Sequence, residues 1–180
     1  MREMMIDLET LDTTHEAVVL SVGAVVWDDH MMVERFSRVL DMNEQTAVGR
    51  TINQYTLIWW LRQDRTALQE AFSPVRVPVK TVIDSFNEFA SGHMAEGLTK
   101  FWAGPATFDF PIWENLCKDF GKDVPWSHKQ RYDLRTAVSA LGYSVKKYTP
   151  TVQGMPHIPV HDCERQIGLL NAARTWRRDE

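Results

Sequence analysis

The sequence predicts an α/β protein with a central five-stranded mixed sheet flanked by helices. Two observations predict it. Segments with strand patterning crowd the first forty residues, and from Gly97 onward short apolar segments alternate with amphipathic ones. Three strands, a helical region, then strands alternating with helices is the pattern of a mixed-sheet α/β domain.

Met4–Leu8 is a short apolar run entering two acids, and reads as a buried strand that ends at Glu9. Ala17–Trp27 is rich in valine and fits a second strand. Asp28-Asp29-His30 is a turn signal and Met32–Leu40 alternates, so the second and third strands form a hairpin. Thr51–Arg62 has helical spacing, with Ile52, Tyr55 and Trp59 at i, i+3 and i+7, and Asp64–Phe72 continues it after a break. Ser73–Pro78, with two prolines, is a loop. Thr81–Ala90 is a short amphipathic helix with Val82, Phe86 and Phe89 on one side.

Leu98–Ala103 reads as a fourth strand, ended by Gly104-Pro105. Phe108–Phe120 is helical, with Trp113, Leu116, Cys117 and Phe120 as its apolar stripe. Gln130–Tyr132 is a short fifth strand, after which Asp133 caps a helix over Leu134–Leu141 that closes at Gly142. Ser144–Pro159 carries three prolines and reads as an irregular loop. Val160–Arg174 is a final helix with Cys163, Ile167 and Leu170 turned inward.

A chain of 180 residues favours one domain over 1–180, with enough apolar residues (44%) for one substantial core. The formal net charge is −4, which argues against a protein that grips nucleic acid by bulk positive charge. Metal ions could still supply that grip. The only two cysteines, Cys117 and Cys163, form no CxxC pair. This disfavours a disulfide framework and a thiolate zinc site, and fits the reducing cytoplasm. The longest apolar run is far shorter than the about 20 residues of a membrane span, so no membrane partner is expected. Asp7 and Glu9 interrupt the N-terminal apolar run, so no signal peptide is expected.

Three places hold polar groups in unusual settings. Asp7 and Glu9 lie two apart at the end of an apolar strand, so both carboxylates point to one face and repel unless a cation sits between them. Two turn acids leaving a strand is the competing explanation. Asp109 lies in line with the apolar stripe of its helix, where a buried carboxylate needs a partner; a helix-start acid is the alternative. His157 stands in the proline-rich loop and Asp162 opens the last helix beside the inward-facing Cys163. Taken alone, these read as a loop histidine and another helix-start acid. Together the four carboxylates form a set of hard oxygen ligands that suits Mg²⁺ or Mn²⁺. Two such ions roughly 4 Å apart clamp a phosphodiester, and a histidine titrating near neutrality takes the proton of the attacking water.

Asp7-Leu8-Glu9-Thr10, Asp109 early in a helix after the fourth strand, and His157 followed after four residues by Asp162 occur in order along the chain. In this the sequence resembles the DnaQ-like 3′–5′ exonucleases of the DEDDh type, in the ribonuclease H-like superfamily, from about Met4 to about Leu170. Within that group it is most similar to compact phage and prophage exonucleases and a related bacterial exoribonuclease group, by Thr56–Leu61 with its Trp59-Trp60 pair and by Asp133-Leu134-Arg135-Thr136. The resemblance implies that Asp7, Glu9 and Asp162 ligate two metal ions, that Asp109 helps hold the second, and that His157 is the general base. It also makes Thr10 and Leu11 candidates for contacting the terminal nucleotide, by backbone bonds and as a wedge, although Leu11 reads equally well as an ordinary apolar loop residue. The implied partners are single-stranded DNA or RNA 3′ ends, without choosing between them, and a homodimer is compatible with it. One departure stands out: many relatives carry Asn four residues before the second-motif Asp, and here that residue is Pro105.

The expected function is therefore metal-dependent 3′–5′ hydrolysis that releases 5′-monophosphates. The competing readings are a catalytically inactive binding module of the same fold, and a phosphatase or nucleotide hydrolase with similar carboxylates. His161 competes with His157 as base, but on a helix it points about 100° away from its neighbour Asp162. Trp59 and Trp60 could stack bases, and at least one is expected in the core. Asp133 is expected only to cap its helix. Arg174, Arg177 and Arg178 could touch phosphates, but read better as a solvated end.

Overall fold

The computed structural model describes residues 1–29, 31–147 and 154–176. Its sheet has the order β3-β2-β1-β4-β5, with β1 (Arg2–Thr10), β2 (Val19–Asp28), β3 (Met31–Val39), β4 (Lys100–Ala103) and β5 (Arg131–Asp133). The β1–β2 and β2–β3 pairs are antiparallel, whereas β1–β4 and β4–β5 are parallel. The hairpin half needs only tight turns. The parallel half needs crossovers, and α4 (Val79–Ala95) and α5 (Ala106–Asp119) lie within them.

Strand β1 is central and covered on both faces, so its apolar run is nearly continuous. Its even-numbered residues Met4, Ile6 and Leu8 join Phe86 of α4 and Phe110 and Trp113 of α5 in the larger core. Met5, on the other face, packs with Trp102, Leu134 of α6 (Leu134–Ala140) and Ile167 and Leu170 of α7 (Pro159–Thr175). Burying each such side chain contributes roughly 1.5–3 kcal/mol. The same alternation carries Asp7 and Glu9 onto the α6–α7 face.

Helix α7 starts where it does because of a missing side chain. Gly23 pairs with Asp7 across β1–β2. A Cβ on Gly23 would lie 2.6 Å from the Pro159 Cβ and 2.7 Å from the Val160 N. Only glycine lets the first turn of α7 come down on the sheet beside Asp7.

The observed elements agree with the sequence reading in type and order, with strands shifted by a residue or two and α4 extended to 17 residues. The structure adds α1 (Met42–Ala47), capped by the Asp41 side chain accepting from the Glu44 N–H at 2.9 Å. It has no apolar stripe to betray it; its buried residue is Gln45, whose amide bonds the Val19 N–H and C=O at 2.7 and 2.8 Å. The helix expected over Thr51–Arg62 is shorter, α2 (Gln54–Trp60), followed by α3 (Arg65–Ala71). Its stripe also runs opposite to a core stripe: Ile52, Tyr55 and Trp59 are exposed and Trp60 is the buried residue. His30 of the turn signal, the middle of the Ser144–Pro159 loop, and Arg177 and Arg178 fall outside the described residues.

Candidate active site

All five residues of the three sequence motifs line one cavity of about 530 Å³. Asp7 and Glu9 come from the end of β1, Asp109 from the first turn of α5, His157 from the residues before α7, and Asp162 from its first turn. Asp109 belongs to a helix on the opposite side of the sheet. It reaches the site by crossing the sheet end, where its Oδ1 accepts the Leu8 backbone N–H at 3.0 Å.

Glu9, His157 and Asp162 each present a ligand atom, and these atoms lie within 4.8 Å of one another. The His157 Nδ1 is 3.8 Å from the Glu9 Oε1. Its backbone N–H donates to the Asp162 Oδ2 at 2.7 Å, with His157 held at φ 65°, a left-handed conformation that costs a non-glycine residue about 1 kcal/mol or more. The imidazole meets Trp59 edge to face at 4.8 Å.

The acids are crowded and largely dehydrated. Burial, followed by the Asp109 and Glu9 charges, pushes the Asp7 carboxyl well above its ordinary value. Glu9 is pushed up to about 8 by burial and by Asp109. Asp109 is pushed up to about 7 by burial, against the pull of its backbone hydrogen bonds and of Arg135. His157 moves the other way, lowered by burial and then by Arg165, so its ring is neutral and free to accept a proton near pH 7. Two side chains from α7 offset part of the negative charge: Gln166 donates to the Asp7 Oδ1 at 2.7 Å, and Arg165 pairs with Asp162. Four carboxylates facing so little positive charge leave a demand that hard divalent cations satisfy, and oxygen-rich donors with one imidazole fit such ions.

A second cavity of about 410 Å³ adjoins Glu9 and is walled by Thr10, Tyr55, Trp59 and Phe108. Thr10 therefore lines this cavity. Leu11 does not: it is 2% exposed and packs with Leu20 and Trp60. Its N–H is bonded to the Val18 C=O and its C=O to the Asn53 N–H, so neither its side chain nor its backbone faces the cavity. The strand continues one residue beyond the acids, and that extra residue turns Leu11 inward. The two tryptophans divide. Trp60 is fully buried with its indole N–H on the Thr10 C=O at 2.9 Å, and Trp59 lines the cavity.

His161 turns away from the acids, and its Nδ1 accepts the Met155 N–H at 3.2 Å. Asp133 does more than cap α6. It accepts from the Thr136 N–H and also from the Ala106 N–H, each at 2.7 Å, tying the starts of α5 and α6 together. Pro105 lines the cavity that holds the acids, directly before α5. Arg174 is not a solvated end, for it pairs with the buried Glu3 at 2.7 Å. The sequence reading missed Gln166 and Arg165. Their positions, three and four residues after Asp162 on a helix, place them on its face, and that spacing was the available signal.

Among solved structures, exonuclease X in complex with 5′-overhanging duplex DNA is similar over 97% of this chain and 94% of its own, with a TM-score of 0.62 at 17% identity. The nuclease domain of 3′hExo, a DEDDh family member bound to rAMP, is similar over 96% and 90%, with a TM-score of 0.59 at 11% identity. Both likenesses concern the fold, which is ribonuclease H-like. None of the curated proteins matches the sequence. The model of the 3′–5′ exoribonuclease Rv2179c-like domain matches residues 2–174, nearly the whole chain, so this protein belongs to that family and is a 3′–5′ exonuclease.

Proposed function

We propose that the chain removes nucleotides one at a time from the 3′ end of single-stranded nucleic acid, with RNA as the preferred substrate, and releases 5′-monophosphates. The observation that carries this reading is the convergence of Asp7, Glu9, Asp109, His157 and Asp162 on one cavity. The preference for RNA follows the family's description as exoribonucleases.

Asp7, Glu9 and Asp162 would hold two divalent ions, Mg²⁺ or Mn²⁺, with Asp109 assisting at the second. Bound there, the ions neutralise the scissile phosphate and acidify the attacking water. His157 accepts the proton of that water, since burial keeps its ring neutral and its backbone N–H is anchored on Asp162. Gln166 holds the Asp7 carboxylate in one orientation. Thr10, Trp59 and the other walls of the adjoining cavity enclose the terminal nucleoside. The leaving group is the 3′-oxygen of the preceding nucleotide.

The test is digestion of 5′-labelled single-stranded RNA, single-stranded DNA and duplex oligonucleotides of one sequence, resolved by length. Stepwise shortening with Mg²⁺ or Mn²⁺, fastest on single-stranded RNA and abolished by EDTA or by Asp7→Asn, is expected. Equal rates for the parent and Asp7→Asn would falsify the assignment. Turnover of free nucleotides without oligonucleotide cleavage would favour a nucleotide hydrolase instead.

A further inference from the structure

The catalytic cavity continues past the acids on the side away from Trp59. It shares Gly104, Arg135 and Gln166 with a third cavity, of about 730 Å³, that follows α6 to the turn at 142–145. Arg135 lies at the junction, in the first turn of α6. Its side chain is exposed, and among the described residues it has no hydrogen-bond or ion-pair partner. Asp109 feels its charge without being bonded to it. The other guanidinium beside the acids is committed, because Arg165 pairs with Asp162 and donates to the Gly154 C=O at 3.0 Å.

The walls of this cavity combine three chemistries. Leu134, Val138 and Leu169 are apolar, Tyr143 is aromatic, and Ser139 and Ser144 carry hydroxyls. A guanidinium at the mouth of an apolar, aromatic-walled trough complements a nucleotide, whose phosphates need positive charge and whose base needs a flat apolar contact. In a chain of net charge −4, a guanidinium next to the acids that has no partner among the described residues is a local feature, not part of a general basic surface. The bond to be cut joins two nucleotides, and the acids lie between two cavities. The Thr10–Trp59 cavity is on one side and the α6 cavity on the other.

We propose that the α6 cavity receives the nucleotide on the 5′ side of the scissile bond, and that Arg135 binds the phosphate one linkage upstream of that bond. This rests on the nuclease reading above and adds a second subsite to it, for the part of the strand that leaves. The enzyme then recognises a strand of at least three nucleotides, not only its last one.

The experiment uses two matched oligonucleotides. In one, the linkage immediately 5′ of the scissile one is a neutral methylphosphonate; both carry a 2′-deoxyribose at that linkage. First-cleavage kcat/KM is measured for the parent, Arg135→Ala and Arg135→Lys. The parent should lose about tenfold or more on the neutral linkage, the scale of a charge-assisted phosphate contact. Arg135→Ala should be slower on the normal substrate and nearly indifferent to the methylphosphonate, and Arg135→Lys should recover part of the discrimination. Because each protein is compared with itself, a general loss of folding or activity does not imitate this result. The proposal is overturned if Arg135→Ala is as sensitive to the neutral linkage as the parent, or if the parent is insensitive to it. If the parent cleaves neither oligonucleotide, the nuclease reading itself fails, which is a separate result.

Discussion

At the residue scale, the carboxylates that suit the site to cations destabilise the cation-free protein. Asp109 is pushed up to about 7 by burial. Its folded-state value lies above its unfolded one, so the native state keeps a proton that the unfolded chain releases between the ordinary carboxylate range and about pH 7. Stability in EDTA therefore falls as pH rises through that window, and the penalty is complete by pH 8. Asp109→Asn, which retains an acceptor for the Leu8 N–H, should raise the Tm in EDTA at pH 8 by roughly 2–8 °C, while leaving it little changed at pH 4. A lower Tm for the variant at pH 8 would show that the site is not strained by its own charge. At the same scale, His157→Ala should reduce kcat by about 10²–10⁴, the usual contribution of a general base, without lowering the Tm. Steady-state kinetics beside a melting curve checks both halves.

At the scale of elements, two helices decide whether the site assembles. Helix α7 brings Asp162, Arg165 and Gln166 onto the sheet through the gap at Gly23. Gly23→Ala should cost about 1–3 kcal/mol by overpacking, and should reduce activity further than the melting temperature alone explains, because α7 must shift away from Asp7. Wild-type kcat in this variant would mean that the first turn of α7 has latitude. In α2, neighbouring tryptophans have different duties. Trp60→Ala removes a fully buried ring and should destabilise by about 3–5 kcal/mol, as seen in denaturant titration. Trp59→Ala removes a ring that is 41% exposed, so stability should change little while activity falls. The loss would have two sources, the edge contact to His157 and the wall of the cavity proposed to hold the terminal nucleoside. A sequence-level count of apolar spacing treats these two residues alike, and it would even prefer Trp59, because Ile52, Tyr55 and Trp59 mark a regular stripe. That stripe faces outward, towards the cavity and solvent.

At the scale of the whole molecule, the acidic balance sets how the protein meets its substrate. A chain of net charge −4 has no net positive field to draw in a polyanion, so under the proposed function its grip would depend on ions held by the acids and on a few cations such as Arg135. Each phosphate contact by a protein cation on a single strand contributes a slope of roughly −0.7 to log K against log salt, so the parent should show a shallow slope of about −1 to −2. A steep slope in KM measured across NaCl concentrations would indicate an extended basic track. Mg²⁺ should also raise the Tm at pH 8, since it binds the folded acids and not the unfolded chain, and Glu9→Gln should reduce that rise.

Much of this molecule is legible along the chain. Alternation in β1 puts Asp7 and Glu9 on one face, helix starts place Asp109 and Asp162, and the amphipathic stripe of α7 marks its buried side. These are local regularities, because the pitch of a strand or a helix repeats within a few residues. The sequence determined the fold class and named five of the residues that line the cavity. Only the tertiary structure decided that Leu11 turns inward, that Gln166 and Arg165 attend the acids, that Asp133 joins two helices, and that Arg135 lines two cavities at once. The physical reason is that each of these depends on contacts between segments far apart in the chain, set by how closely α5, α6 and α7 settle on the sheet. No periodicity within a single segment records that distance.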